Sequence, residues 1–344
     1  MGADDIKKLK ELIDRSERPL LTGHVRLDGD ALGSQLALYH ALRNMGKAPC
    51  ILNDSGIPRV YKFLVKDVEV MRWSEETKAS LSANGESYGF DLVFVLDTPS
   101  ASRTGRVHQI VSSGIPVINI DHHLCSDNFG DLNIVHTGKC STGEIIFDLL
   151  RSLEIEITPR MADALYVAMV TDTGRFMHRN TNSDTFRAAA HLIDCGADPT
   201  NIGQYLYKAN TFGYLQLHSM AVETLTFHCD KKIACMWLTK KMMRDAHTPP
   251  IDTQDFADVP SSIEGVEVGV LLRELGEKNM VKVSLRSRDG VDVNKIAKEF
   301  GGGGHMRAAG LEMEGSIQEA QDRIIEAVAK TLGSSEKEKE EVLT

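Results

Sequence analysis

The stretch His24-Val25-Arg26-Leu27-Asp28-Gly29-Asp30-Ala31-Leu32-Gly33-Ser34 constrains this chain more than any other. The apolar run Pro19-Leu20-Leu21-Thr22-Gly23 before it reads as a buried strand. Leu32, Leu36, Leu38 and Leu42 then recur close to helical spacing until Gly46. The stretch is therefore a strand-to-helix turn, the place where open α/β sheets hold their ligands. Within seven residues it carries one imidazole and two carboxylates. Near a sheet's end each is costly unless it is hydrogen-bonded, paired or holding a metal. Glycines at 29 and 33 let the backbone turn tightly and let a helix pack close. An acidic helix cap would look the same in isolation, so the rest of the chain has to decide.

Further apolar strands end in the same chemistry. A helix over residues 4–17 and a strand at Pro49-Cys50-Ile51-Leu52 flank the opening motif, and Ser55 to Ser87 reads as irregular. Phe90-Asp91-Leu92-Val93-Phe94-Val95-Leu96 runs into Asp97 and a turn of small residues, Thr98 to Gly105, that contains Arg103. Ile115-Pro116-Val117-Ile118-Asn119-Ile120 runs into Asp121-His122-His123. A buried helix over Met161–Val170 leads to Thr171-Asp172-Thr173-Gly174. Near-continuous apolar strands separated by helices imply a parallel sheet covered on both faces. Parallel strands align their carboxyl ends, so these turns converge on one edge. Asp28, Asp30, Asp97 and Asp172 gathered with His24, His122 and His123 require cations to offset their charge. Mixed imidazole and carboxylate donors suit a pair of Mn²⁺ ions better than Mg²⁺, with Mg²⁺ or Co²⁺ as substitutes.

The remaining sequence points to a second domain. At 344 residues the chain is too long for one ordinary core. Helical spacing from Ser183 to about Met220 reads as a connector. Alternation then resumes at Leu225–Phe227, Ile233–Leu238, Val266–Leu272 and Val281–Arg286, as in paired strands with one solvated face. A helix from Val291 stops at Gly301-Gly302-Gly303-Gly304-His305. Four bare residues expose backbone N–H groups and can wrap an anion, with His305, Arg307, Arg286 and Arg288 nearby. The expected boundaries are 1–200, a helical connector at 201–224, a second domain at 225–333 and a charged, disordered tail at 334–344.

Composition excludes several classes. The net charge of −10 argues against a long nucleic-acid platform, although divalent metal can invert an acidic pocket locally. No apolar run approaches the length of a membrane span, and the N-terminus lacks the basic and apolar regions of a signal peptide, so a cytoplasmic location is expected. The six scattered cysteines, without a C-x-x-C pair, read as reduced thiols.

These residues together resemble the DHH phosphoesterase family, whose name-giving triplet stands here as Asp121-His122-His123. His24-x-x-x-Asp28-x-Asp30, Asp97 and Asp172 match its other motifs in order, and Gly301–His305 is similar to the signature of its associated C-terminal domain. The resemblance spans roughly residues 5–332. It is nearest the stand-alone branch that degrades very short RNA and dephosphorylates phosphoadenosine phosphate, with Leu27 standing where that branch often has proline. It implies an α/β fold: a parallel-sheet catalytic domain with helices on both faces, a helical connector and a smaller α/β domain across a cleft. It further implies that His24, Asp28 and Asp97 hold one Mn²⁺, that Asp30, Asp97, His122 and Asp172 hold another, and that Asp97 bridges. Water acidified by the pair would attack phosphorus. His123 would position a phosphate oxygen or relay a proton, Arg103 would contact the phosphate, and Asp121 would have a positioning role. Ser284, Arg286, Gly302, Gly303, Gly304 and His305 would grip the substrate. The implied substrates are oligoribonucleotides of two to five nucleotides, linear dinucleotides such as pGpG, and 3′-phosphoadenosine 5′-phosphate. The alternatives are a cyclic-dinucleotide phosphodiesterase and a non-catalytic nucleotide sensor; a homodimer is compatible with either.

Overall fold

The computed structural model describes residues 2–82, 88–253, 255–276, 279–288 and 291–342, and the chain divides into two units, Met1–Ala209 and Asn210–Thr344.

Six strands form the first unit's sheet: β1 (Pro19–Thr22), β2 (Cys50–Asn53), β3 (Val70–Arg72), β4 (Leu92–Leu96), β5 (Val117–Asp121) and β6 (Leu132–Val135). Their order is β3-β2-β1-β4-β5-β6, and each pair is parallel. Every residue of β1, β4 and β5 is buried, which is why these strands read as unbroken apolar runs rather than alternating ones. Helices α1 (Ala3–Arg15), α2 (Gly29–Asn44), α3 (Glu75–Ser82), α4 (His108–Val111), α5 (Thr142–Ser152), α6 (Pro159–Asp172), α7 (Ser183–Asp194) and α8 (Pro199–Tyr207) complete the unit. Leu21, Phe94, Leu96, Ile118 and Ile120 share one core with Leu9, Leu36, Ile146, Leu165 and Leu192 of the helices. Leu20, Leu52, Val93, Val95 and Val117 face a second core with Trp73, Val107 and Ile110.

The strand order reverses between β1 and β4, where connections leave in opposite directions and a crevice opens at the strands' carboxyl ends. Thr22 pairs with Val95 and Leu96 with Ile120, so the turns after β1, β4 and β5 emerge side by side. Helix α2 begins at this edge and α6 ends there. The two pack closely because Gly33 has no side chain: a Cβ would stand 2.3 Å from the Ala164 carbonyl oxygen.

The second unit holds β7 (Thr226–His228), β8 (Ile233–Leu238), β9 (Val268–Leu275), β10 (Met280–Ser287), β11 (Gly303–His305) and β12 (Ala308–Glu314), in the order β11-β12-β10-β9-β8-β7. Only β8 and β9 pair in parallel. One face packs on α12 (Val293–Glu299) and α13 (Ile317–Val342) through Val283, Leu285, Ile296 and Ile324. The other packs on α9 (Phe212–Val222), α10 (Lys240–Asp245) and α11 (Asp258–Ser262) through Leu217, Met236, Leu238 and Leu271.

Several expectations change here. Simple alternation holds on β10, but the first six residues of β9 are all buried, because α9–α11 cover the face expected to be solvated. The expected connector is divided, α8 falling in the first unit and α9 in the second. The four-glycine run is partly strand: Gly303 and Gly304 pair with Gly310 and Ala309. A Cβ at Gly302 would lie 2.4 Å from the Gly310 carbonyl oxygen and one at Gly304 would lie 2.4 Å from that of Ala308, so two of the glycines answer to strand packing. Helix α13 continues through 334–342, where disorder was expected; Glu and Lys are good helix formers. The stretch expected to be irregular contains β3 and α3, while residues 83–87 of it lie outside the described residues.

Candidate metal centre

Each motif residue reaches the crevice by a local device. Asp28 caps α2: one carboxylate oxygen accepts the Ala31 N–H at 3.0 Å, and the other lies 3.4 Å from His24 Nε2. Capping and site membership are thus compatible, since the carboxylate has two oxygens. The His24 Nδ1 lies 2.7 Å from the Val25 carbonyl oxygen, so Nδ1 carries the proton and Nε2 is directed at Asp28 and Asp97. Arg26 and Asp97 both have left-handed backbones, φ 66° and 56°, a conformation non-glycine residues adopt at a cost and one that concentrates at functional turns.

Distances gather the cluster into three overlapping groups, each with three donor atoms within 4.8 Å of one another: His24, Asp28 and Asp97; Asp30, His122 and Asp172; and, linking the first two, Asp97, His122 and His123. Asp97 spans the first two. Its Oδ2 is 3.3 Å from His24 Nε2, and its Oδ1 is 3.5 Å from His122 Nε2. His122 Nε2 also stands 3.8 Å from Asp30 and 3.7 Å from Asp172. Donors held about 2.1 Å from a single cation stand roughly 3.0–3.4 Å from each other, so these spacings fit a small divalent ion with minor contraction. His123 Nδ1 is 2.6 Å from Asp121 Oδ1, a buried carboxylate that fixes the ring, and 3.8 Å from Asp97.

Burial makes this concentration of charge expensive and perturbs the groups in opposite directions. Burial and the neighbouring Asp97 push the Asp30 carboxyl well above the ordinary range, against the pull of His122. Burial, opposed by His122 and reinforced by Asp97 and Asp28, raises Asp172 to about 6. Asp97 goes the other way: burial would raise it, but hydrogen bonds from His122 and His24 and the charge of His123 hold it well below. Burial lowers the affinity of His24 and His122 for protons, yet the carboxylates around them prevail and both are held well above an ordinary imidazole. Without a cation the cluster keeps its carboxylates together only by holding protons between them.

The backbone around the cluster contains residues that motif reading missed. Asp30 accepts N–H groups from Thr142 at 2.7 Å and Gly143 at 2.8 Å, at the start of α5, and the Ser34 hydroxyl at 3.2 Å. The signal was present: Ser141-x-x-Glu144 before an apolar run is a helix-start pattern, and Ser141 does cap α5. Asn53 accepts the Gly23 N–H, Ser55 accepts those of Arg26 and Leu27, and Asp54 binds Arg106 at 2.6 Å. Nothing in one dimension marks Asn53-Asp54-Ser55, because their partners lie on other turns. The Arg103 side chain is exposed, and its carbonyl accepts the Val25 N–H at 2.7 Å, tying its turn to that of His24.

The other expected site residues form a separate group in the second unit. Gly303, Gly310 and Ser284 occupy one rung of β11, β12 and β10; His305, Ala308 and Arg286 occupy another. Directly paired residues share a sheet face, so the two glycines leave bare backbone beside Ser284 and Arg286. Arg286 Nε is 2.7 Å from Asp258 Oδ1, a partner that sequence reading did not anticipate.

Residues 19–169 match the model of the DHH family, N-terminal domain, and residues 230–334 match the DHHA1 domain. A bifunctional oligoribonuclease and PAP phosphatase of Thermus thermophilus is 33% identical over 96% of this chain and 95% of its own length. Its counterpart in Bacillus subtilis is 28% identical over 89% of this chain and 92% of its own. The crystal structure of an exopolyphosphatase-related protein from Bacteroides fragilis superposes with a TM-score of 0.88 at 26% identity, covering 97% of this chain and 98% of that one.

Proposed function

This chain belongs to the DHH family, and from that premise we propose that it is a phosphoesterase acting on very short RNA and on nucleotides. It hydrolyses oligoribonucleotides of a few residues, including linear dinucleotides such as pGpG, to nucleoside 5′-monophosphates. It also dephosphorylates 3′-phosphoadenosine 5′-phosphate to AMP. The observation that carries this reading is Asp97, whose two oxygens face two imidazole–carboxylate groups. In this reading His24, Asp28 and Asp97 hold one divalent ion and Asp30, Asp97, His122 and Asp172 the other; Mn²⁺ best suits the mixture of nitrogen and oxygen donors. Such a pair, when bound, lowers the pKa of water and offsets charge on the phosphoryl group.

The chain's own residues do the rest. Asp97 keeps both donor groups in register through its left-handed turn and its N–H bond to the Ile120 carbonyl at 3.0 Å. Asp121 holds the His123 ring through Nδ1, which directs Nε2 away from the buried carboxylate and toward a phosphate oxygen or leaving group. Arg103 contacts the phosphate. Ser284, Arg286, the bare backbone at Gly303 and His305 hold the remainder of the nucleotide. A substrate held at its reacting phosphate and again at its remainder favours short chains.

The test is a hydrolysis panel with Mn²⁺: a dinucleotide, phosphoadenosine phosphate, a cyclic dinucleotide and a long single-stranded RNA. Rapid turnover of the first two and slow turnover of the long RNA are expected. Preferential cleavage of the cyclic dinucleotide would move the enzyme to cyclic-nucleotide signalling, equal rates on dinucleotide and long RNA would remove the length selection, and binding without turnover would make it a sensor.

A further inference from the structure

After α6 delivers Asp172, the chain takes an unusual path. Gly174, Arg175 and Phe176 have successive left-handed φ values of 53°, 64° and 62°. For two non-glycine residues in a row this is strained backbone, held only where surrounding contacts impose it. The contacts are present: Phe176 packs against Tyr166 and Phe186, and the Arg175 guanidinium lies 4.1 Å from the Tyr207 ring centre. The result is a sharp reversal that brings Asn180 back under the end of α6.

There the Asn180 side-chain amide meets three acceptors. Its Nδ2 donates to the Cys140 carbonyl at 2.8 Å, to the Asp172 carbonyl at 3.2 Å and to Asp172 Oδ2 at 3.2 Å. Because all three neighbours are acceptors, the nitrogen must lie on this side, and the amide orientation is unambiguous. Oδ2 is also the oxygen that lies 3.7 Å from His122 Nε2. Cys140 immediately precedes the cap of α5, whose first N–H groups hold Asp30. One side chain therefore joins the carrier of Asp172 to the carrier of Asp30, two of the three carboxylates that face His122.

We propose that Asn180 is a positioning residue for the Asp30–His122–Asp172 metal position. By occupying one lone pair of Asp172 Oδ2 it fixes the rotation of that carboxylate and leaves its remaining donors aimed at His122 and Asp30. Asp172 is the last residue of α6, where the helix's own carbonyls disfavour negative charge, so an N–H donor is needed there more than elsewhere in the cluster. Partners that orient ligands in this way contribute about ten- to hundredfold to metal affinity. The inference rests on the metal assignment above and is tested by metal binding, without substrate.

The experiment is calorimetric Mn²⁺ titration of the wild type, Asn180→Ala and Asn180→Leu, with the Co²⁺ absorption spectrum of each. Leu keeps the volume and removes the amide, whose Nδ2 makes the three bonds described. The expected result is one Mn²⁺ position weakened at least tenfold in both variants, the other unchanged, and an altered Co²⁺ spectrum. Raising Mn²⁺ should then restore kcat on a dinucleotide with KM unchanged. Two positions of wild-type affinity would overturn the proposal, and so would equal weakening of both, since that marks a general loosening of the fold. A wild type that binds no metal would instead overturn the metal assignment itself.

Discussion

The crevice of the first unit and the glycine-bearing edge of the second are built by opposite means. In the crevice, side chains of like charge are forced within 4 Å of shared imidazoles; burial pushes Asp30 and Asp172 up, whereas hydrogen bonds from His122 and His24 hold Asp97 down against its burial. At the sheet edge side chains are removed: Gly303 faces Gly310, and the neighbouring cation, Arg286, is already paired with Asp258. The first arrangement is uncomfortable without a cation, whereas in the second Arg286 already has a carboxylate partner. Damage to the crevice should therefore abolish chemistry, and damage to the edge should weaken binding.

The largest expected effect is that of Asp97→Ala. Removing the residue shared by both donor groups should reduce hydrolysis to background and lower bound Mn²⁺ together, read by steady-state assay and elemental analysis. A variant that keeps two metals and its activity would dissolve the contrast. Next is Arg286→Ala, which removes a charge-assisted bond of about 1.5–3 kcal/mol, or roughly ten- to hundredfold in KM, with kcat nearly unchanged. Asp258→Ala is its partner experiment: it releases the guanidinium and should leave KM at or below the wild-type value. If Arg286 merely braces Asp258, both variants lose stability and neither changes KM.

A third prediction concerns protons. His24 and His122 are held above the ordinary imidazole range, so in the metal-free protein both still carry protons through neutral pH. A metal must displace them, so affinity rises with pH and falls as pH drops, by roughly tenfold per unit for each proton exchanged. Mn²⁺ titrations at pH 6.5 and 8 in buffers of different ionisation enthalpy measure both the slope and the protons released. A flat profile would mean that the imidazoles do not take part.

The smallest effects come from two glycines. Gly33→Ala drives a methyl into the Ala164 carbonyl and should cost about 1–3 kcal/mol, visible as a lower Tm. Gly303→Ala meets nothing closer than Asn294 Oδ1 at 3.9 Å, so stability should stay within about 0.5 kcal/mol while KM rises. Reversal of the two outcomes would show that the sheet edge is structural and the α2–α6 contact is not.

Much of this was legible in one dimension. The strands of the first sheet stand out because burial on both faces leaves unbroken apolar runs, and six of the seven crevice residues stand out because their carboxylates and imidazoles follow those runs at strand ends, Asp172 instead ending α6. The convergence of those six follows from parallel strands. The second sheet was harder to read. Its alternation at β10 suggested a solvated face, which α9–α11 in fact cover further along the sheet, and its glycine run suggested a loop where two of the glycines serve strand packing.

The sequence by itself determined which groups bear the chemistry, because titratable side chains at the ends of apolar strands are a local pattern fixed by hydrophobic burial and by the parallel sheet. Only the tertiary structure decided how those groups are held. The Thr142 and Gly143 N–H groups on Asp30, the Ser55 hydroxyl under the Arg26 turn, Asp258 on Arg286 and Asn180 under Asp172 all join residues on different elements. A hydrogen bond depends on separations of about 3 Å in space, and periodicity along a chain carries no record of which turn will lie against which.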